Sequence, residues 1–394
     1  MRISRRALLA HIAVVAQAFR PANAAAFRPA NAAAFRPANA GLKPCATLLE
    51  TAGPIRLDTN ESAYGPSPRA RAALGMASVK QRAGVTRAAL RNAIAAHHAV
   101  TPDRVVVGCG PGEILRLAAD AFTGPGRNVI ASLPTFDALG AAARRGGANV
   151  VEVPLRKDYA HDLDAMLART GADTALVYLC NPNNPTGTLT RRQDLDAFLR
   201  RLPASTYVLV DEGYHDYIGG SPEHASFIDR PADGDRVIVA RSFSTIHGLA
   251  GMRIGYAIAA PPAARLLAAR AAADEMDHVN GAGASAAIAA IDDVAYVRSC
   301  VSRTADDRQE FFNQANARML RAIDSQTNFV MLNTQRPSVE VIEHFKRNDV
   351  LVWGPIPAFD KHIRVSLGTT AQMNEFWRVW DLLPGGHTHV GDGL

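Results

Sequence analysis

From residue 104 onward the chain alternates short β-branched apolar runs with alanine-rich stretches of helical period. Arg104–Gly108, Asn128–Ser132, Asn149–Val153, Ala175–Leu179, Tyr207–Val210 and Val237–Ala240 read as strands. Between them Ile114–Phe122, Ala138–Arg145 and Arg191–Arg201 carry the amphipathic pattern of surface helices. Buried apolar strands alternating with helices imply an α/β fold, a mostly parallel sheet covered on both faces. Ligands in such sheets sit beyond the carboxyl ends of the strands, so the chemistry is expected in the segments that follow each strand.

After Pro261-Pro262 a long alanine-rich helical region is predicted to about Arg318, then strands at Phe329–Leu332 and Ile363–Leu367 flanking a helix at Val339–Asn348. That pattern predicts a smaller α+β second domain. The expected organisation is a leader over 1–40, an N-terminal arm over 41–70, a large domain over 71–262, a small domain over 263–384 and a loose tail over 385–394. With 394 residues, 48% of them hydrophobic and 20% charged, the chain is long enough for two cores.

The net charge of +6 comes from the leader: 43 basic residues stand against 37 acidic ones, and six arginines with no acid lie within residues 1–40. The remaining body is formally neutral, which argues against a nucleic-acid partner. Ser4-Arg5-Arg6-Ala7-Leu8-Leu9, followed by an apolar stretch from Ala7 to Ala18, resembles a twin-arginine export signal. Behind it an octad repeats at Phe19–Ala26 and Phe27–Ala34 with a partial copy from Phe35, each carrying Ala-Asn-Ala. Export to the periplasm is the expectation, a cytoplasmic location the alternative. No run reaches the ~18 apolar residues of a membrane span, so no stable membrane anchor is expected. Cys45, Cys109, Cys180 and Cys300 are scattered without a C-x-x-C pair, and neither a disulfide nor a metal site is predicted from them.

Several ordered motifs then carry a family resemblance. They are Leu57-Asp58-Thr59-Asn60-Glu61-Ser62-Ala63-Tyr64-Gly65-Pro66, Gly110-Pro111-Gly112-Glu113, Pro134-Thr135-Phe136, Asn181-Pro182-Asn183-Asn184-Pro185-Thr186-Gly187, Val210-Asp211-Glu212-Gly213-Tyr214, Arg241 to Tyr256, and His362 to Thr369. Together, from about Leu57 to Thr369, the chain resembles the fold-type-I aminotransferases that use pyridoxal 5′-phosphate (PLP), and among them histidinol-phosphate aminotransferase. The resemblance implies a large domain with a seven-stranded-type sheet, a homodimer, and transfer of an amino group between an amino acid, or a histidinol-phosphate-like amine, and a 2-oxo acid. It also implies roles for residues. Asn184 and Tyr214 would bond the cofactor's O3′, and Asp211 would meet its ring nitrogen and keep the ring electron-poor. Phe136 would stack on the ring. Ser242, Ser244, Arg253 and the helix start at Gly110 and Gly112 would hold the phosphate. Asn60 and Tyr64 would gate the substrate, and Arg364 with Asn328 would bind its carboxylate.

Departures from the family pattern cluster on one task. The resemblance places a Schiff-base lysine at Thr245, and a hydroxyl can neither attach the cofactor nor shuttle its proton. Pro111 lacks an N–H in the phosphate cup, and Ala83 stands where a phosphate-contacting tyrosine is usual. His247, two residues from Thr245, is a speculative replacement base; Lys80 and Lys361 read as surface lysines. The expectation is therefore a protein that holds PLP or pyridoxamine 5′-phosphate (PMP) non-covalently, with impaired transamination. The alternatives are a non-catalytic binder of PLP, PMP or a preformed aldimine, and a lysine-independent PMP enzyme using His247.

Overall fold

A computed structural model describes residues 53–77, 84–220, 222–229, 235–273 and 278–384. The leader, the arm's first residues 41–52, Lys80, Ala83, Cys45 and the tail from 385 lie outside the described residues. The chain opens with β1 (Ile55–Leu57), α1 (Pro68–Met76) and α2 (Gly84–His97). Next come β2 (Val105–Gly108), α3 (Gly110–Phe122), β3 (Asn128–Leu133), α4 (Ala138–Arg145), β4 (Asn149–Pro154), α5 (Leu163–Ala168), β5 (Thr174–Cys180), α6 (Arg192–Arg201), β6 (Tyr207–Asp211), β7 (Val237–Ser242) and β8 (Gly255–Ala259). The remainder is α7 (Pro261–Ala273), α8 (Gly281–Ile291), α9 (Val294–Ala317), β9 (Arg321–Ala322), β10 (Phe329–Asn333), α10 (Ser338–Arg347), β11 (Val350–Val352), β12 (His362–Ser366) and α11 (Thr370–Asp381).

Seven strands form one sheet in the order β2-β8-β7-β6-β5-β3-β4. The pairs β3–β4, β3–β5, β5–β6 and β6–β7 are parallel, and β8 runs antiparallel to both its neighbours. The strand pattern above missed β8, because its glycine-led sequence reads as the end of the preceding loop. Alternate strand residues enter two different cores: Val177, Leu179, Val208, Val210 and Val239 on one face, Leu176, Tyr178, Leu209, Ile238 and Ala240 on the other. This is why the strands read as unbroken apolar runs rather than as an in–out alternation. Helix α3 covers the second face with Ile114, Leu115, Leu117 and Ala118, and α6 covers the first with Leu195, Phe198 and Leu199.

A third core gathers the C-terminal elements, with Phe311, Phe345, Phe376 and Trp380 among its members, and Phe345 stacks on Phe376 at 4.7 Å. Strands β9, β10 and β12 form an antiparallel sheet beside it. The alanine-rich region is three helices rather than one. Asn280 caps α8 through Gly283 N and Asp293 caps α9 through Tyr296 N. Helices α7 and α8 still pack on the seven-stranded sheet, and packing to the third core begins only within α9 at Phe311. Strand β1, far earlier in sequence, pairs in parallel with β11, and Leu57 enters the third core. That pairing anchors the segment Asp58–Pro66 between the two sheets' ends, where it borders the site.

Candidate active site

The cofactor-side candidates Asn184, Asp211, Tyr214 and Ser242 fall at the carboxyl edge of the seven-stranded sheet. Asp211 is the last residue of β6, paired with Cys180 at the end of β5, and Ser242 ends β7. Asp211 is buried, with Gly213 N donating to Oδ1 at 3.1 Å and the Tyr178 hydroxyl to Oδ2 at 3.0 Å. Burial pushes its pKa up to about 6, and these two bonds hold it back from a larger rise. The next residue, Glu212, faces elsewhere: it accepts from Ser226, Phe227 N and Arg241, whose charge keeps it ionised despite burial. Arg241 also binds Asp216 at 3.0 Å, so a buried ion-pair group fixes the turn that carries Asp211 and Tyr214.

The loop after β7 holds the phosphate candidates. Ser242 Oγ accepts from Ser244 N at 2.9 Å, while Ser244 Oγ is buried with no partner. Arg253 is exposed and left-handed at φ 53°, and its guanidinium lies directly over the start of α3. Gly110 has φ +78°, a left-handed backbone that favours glycine, and a Cβ there would come within 2.4 Å of Arg253 Nη2, which would have to shift. Gly112, in the first turn of α3, has open space beside it. Thr245 is buried, and its hydroxyl donates to the Gly213 carbonyl at 2.7 Å. His247 packs on Phe243 at 4.9 Å, with Asp216, His97 and Arg241 as its charged surroundings, and burial pulls its pKa down to about 4. Neither Asp211 nor Thr245 is hydrogen-bonded to it.

The substrate-side residues form a connected group. Arg364, on β12, donates from Nη1 to Asn184 Oδ1 and from Nη2 to the Asp58 carbonyl, both at 2.7 Å. Its guanidinium lies over Trp353 at 4.3 Å, its Nε is buried without a partner, and burial lowers its pKa to about 10. Asn184 thus keeps its amide NH2 for another acceptor. Asn60, left-handed at φ 57°, donates to the Tyr214 hydroxyl at 2.9 Å and accepts from Ser366 at 3.0 Å. With Tyr214's pKa pushed up to about 12 by burial, that phenol stays protonated and retains its own proton to donate. Asn328 holds the carbonyls of Asn60 and Glu61 and leaves its Oδ1 buried and unpartnered.

Tyr64 sits further out. It bonds Asp307, lies under Arg303, and its carbonyl accepts from Tyr296 at 2.9 Å, so the gate segment is tied to α9. Phe136, 39% exposed after β3, presents its ring at the same edge. Sequence reading missed Tyr178, Ser366 and Trp353. Ser366 was findable two positions after Arg364 on the same strand face; Tyr178 and Trp353 read as ordinary apolar positions.

Ser244 Oγ and Arg364 Nε, buried without partners, can donate to anionic groups, while Asn328 Oδ1 and the Asp211 carboxylate, which has no cation paired with it among the described residues, can accept from a donor; His247 Nδ1 is also buried without a partner. A phosphorylated cofactor with a basic ring nitrogen fits this donor set. The family described as aminotransferase class I and II matches residues 52–379, and the chain belongs to this family of PLP-dependent enzymes, which act on small amino and oxo acids. It is similar to histidinol-phosphate aminotransferase of Moorella thermoacetica (35% identity, covering 82% of this chain and 84% of that one) and of Bacillus subtilis strain 168 (34%, 82% and 89%). Among solved structures, histidinol-phosphate aminotransferase from Sinorhizobium meliloti in complex with pyridoxal-5′-phosphate superposes with a TM-score of 0.76 at 28% identity, covering 85% of this chain and 90% of that one.

Proposed function

We propose that this chain is an aminotransferase homologue that holds PLP or PMP without a covalent bond and in which amino-group transfer is strongly impaired. One observation carries the reading. The Thr245 hydroxyl is committed to the Gly213 carbonyl, while Asp211, Asn184, Tyr214 and Arg364 stand assembled around the same site.

When bound, the cofactor supplies an electron sink for negative charge that develops beside its ring. Asp211 would oppose the ring nitrogen, and Tyr214 and Asn184 would donate to the ring oxygen. Ser242, Ser244, Arg253 and Gly110 would hold the phosphate, with one N–H fewer because of Pro111. Arg364 offers its guanidinium to a substrate carboxylate between Trp353 and Phe329, with Asn328 beside it. Binding and orientation are therefore provided for. Proton transfer is not: threonine is a poor base, and His247 is a weak one set among Asp216, Arg241 and Phe243. Loss of a positioned base costs ~10²–10⁴-fold in rate. The guest on the substrate side is an amino acid or an amine of the histidinol-phosphate kind, and the working form is a homodimer.

Titration of the purified protein with PLP and with PMP, followed by borohydride reduction and intact-mass measurement, tests this. Binding of either cofactor with no mass added to the chain is the expected result. A borohydride-fixed adduct would reveal a surrogate lysine, and absence of binding by both cofactors would remove the binding role.

A further inference from the structure

The carboxylate of Asp211 is held in an unusual way. Its two donors, Gly213 N and the Tyr178 hydroxyl, are both neutral, and among the described residues no arginine, lysine or histidine is paired with it. The titratable groups that face it are Cys180 and Tyr178 on β5, Glu212 just past the end of β6 and Tyr214 on the turn that follows, none of them cationic. Glu212 is tied off by Arg241, Ser226 and Phe227.

Tyr178 is placed by register. Cys180 pairs with Asp211 and Tyr178 with Leu209, so Tyr178 and Asp211 share the sheet face that packs under α3. Its ring is 1% exposed and cannot swing away. A phenol in an apolar core is costly unless its hydroxyl is bonded, and phenylalanine would fill the same volume. The hydroxyl is directed at Asp211 Oδ2, with the Cys180 thiol as its other neighbour.

We propose that Tyr178 is a positioning residue for Asp211: its hydroxyl keeps the carboxylate ionised and aimed at the cofactor's ring nitrogen, the task a cation would otherwise perform. This rests on the cofactor-binding reading above. A donor to a carboxylate favours the charged form, against burial, which disfavours it. With Asp211 already raised to about 6, the loss of one of two donors moves it further toward neutrality. A more basic carboxylate would draw the shared proton away from a bound ring nitrogen.

The test is Tyr178→Phe, loaded with PMP labelled with 15N in the ring. The 15N resonance of the wild type is expected to be pyridinium-like near neutral pH. In Tyr178→Phe the ratio of ionic to neutral pair falls roughly tenfold, as befits a hydrogen bond to a charged group, and the resonance moves toward the pyridine position. Identical resonances in both proteins overturn the proposal, since a merely structural tyrosine would change stability and leave the ring's proton alone. If the wild type binds no PMP, it is the cofactor reading that fails. The titration of 13C-carboxyl-labelled Asp211 in the cofactor-free proteins then decides the role of Tyr178. A midpoint higher by about one unit in Tyr178→Phe supports it, and an unchanged midpoint overturns it.

Discussion

Replacing Thr245 with lysine asks whether the site lacks one group or several. The threonine is 7% exposed and donates to the Gly213 carbonyl at 2.7 Å. Removing that bond costs about 1 kcal/mol, and up to ~3 kcal/mol if the carbonyl is left dry. Burial of the new amine lowers its pKa, which suits a group that must be neutral to attack a carbonyl. A positioned base returns ~10²–10⁴-fold in rate, equivalent to lowering the barrier by ~2.7–5.5 kcal/mol. Stability and turnover therefore move in opposite directions. The assay is the half-reaction of the PMP-loaded protein with excess 2-oxo acid, followed by absorbance, with borohydride fixation and intact mass as the measure of attachment. If Thr245→Lys attaches PLP yet turnover stays within tenfold of wild type, the missing amine is not the limiting defect, and the reasoning fails.

Three further outcomes are expected. Arg364→Met removes the fork held over Trp353, so carboxylate-bearing ligands should bind about 10–150-fold more weakly, while amines without a carboxylate are nearly unaffected; an equal loss for both in calorimetry would place the carboxylate elsewhere. Gly112→Ser puts a hydroxyl into open space in the first turn of α3, and PMP affinity should rise ~2–10-fold; no gain would mean that the phosphate does not sit there. For Asp211, a folded-state pKa of about 6 stands above ~3.9 for an unfolded aspartate, so between those values the native state binds the extra proton. Cofactor-free stability then falls as pH rises through that window and stays lower above it. Asp211→Asn should lose this pH dependence, so its stability relative to wild type should rise by roughly 2–3 kcal/mol from the lower edge of the window to above it in urea unfolding; a pH-independent difference would refute the shift.

Much of the site was legible because its chemistry depends on residue type next to a strand end. Asp211, Asn184 and Ser242 follow runs whose apolar character already marked them as buried strands, so their place at the carboxyl edge followed from the pattern. The gap at Thr245 was likewise visible as a residue identity. Tyr178 was not legible as a site residue, since a tyrosine inside an apolar run is indistinguishable from core until the neighbouring strand's register is known. His247 illustrates the opposite case. Its proximity to Thr245 in sequence suggested a base; only the fold shows that its ring packs on Phe243 beside the Arg241–Asp216 pair, with Nδ1 buried and unpartnered.

What the sequence determined by itself is local: which runs form strands and helices, which residue types stand at their ends, and that no amine is present at position 245. These follow from periodicity and side-chain chemistry, which need no partner. What only the tertiary structure decided is the pairing of distant segments. Examples are β1 against β11, the return of β8 between β2 and β7, the meeting of Asn60 with Tyr214 and Ser366, and the reach of Arg364 to Asn184. Such contacts depend on strand register and on how two sheets' ends come together, and a linear pattern carries no record of either until the chain has closed on itself.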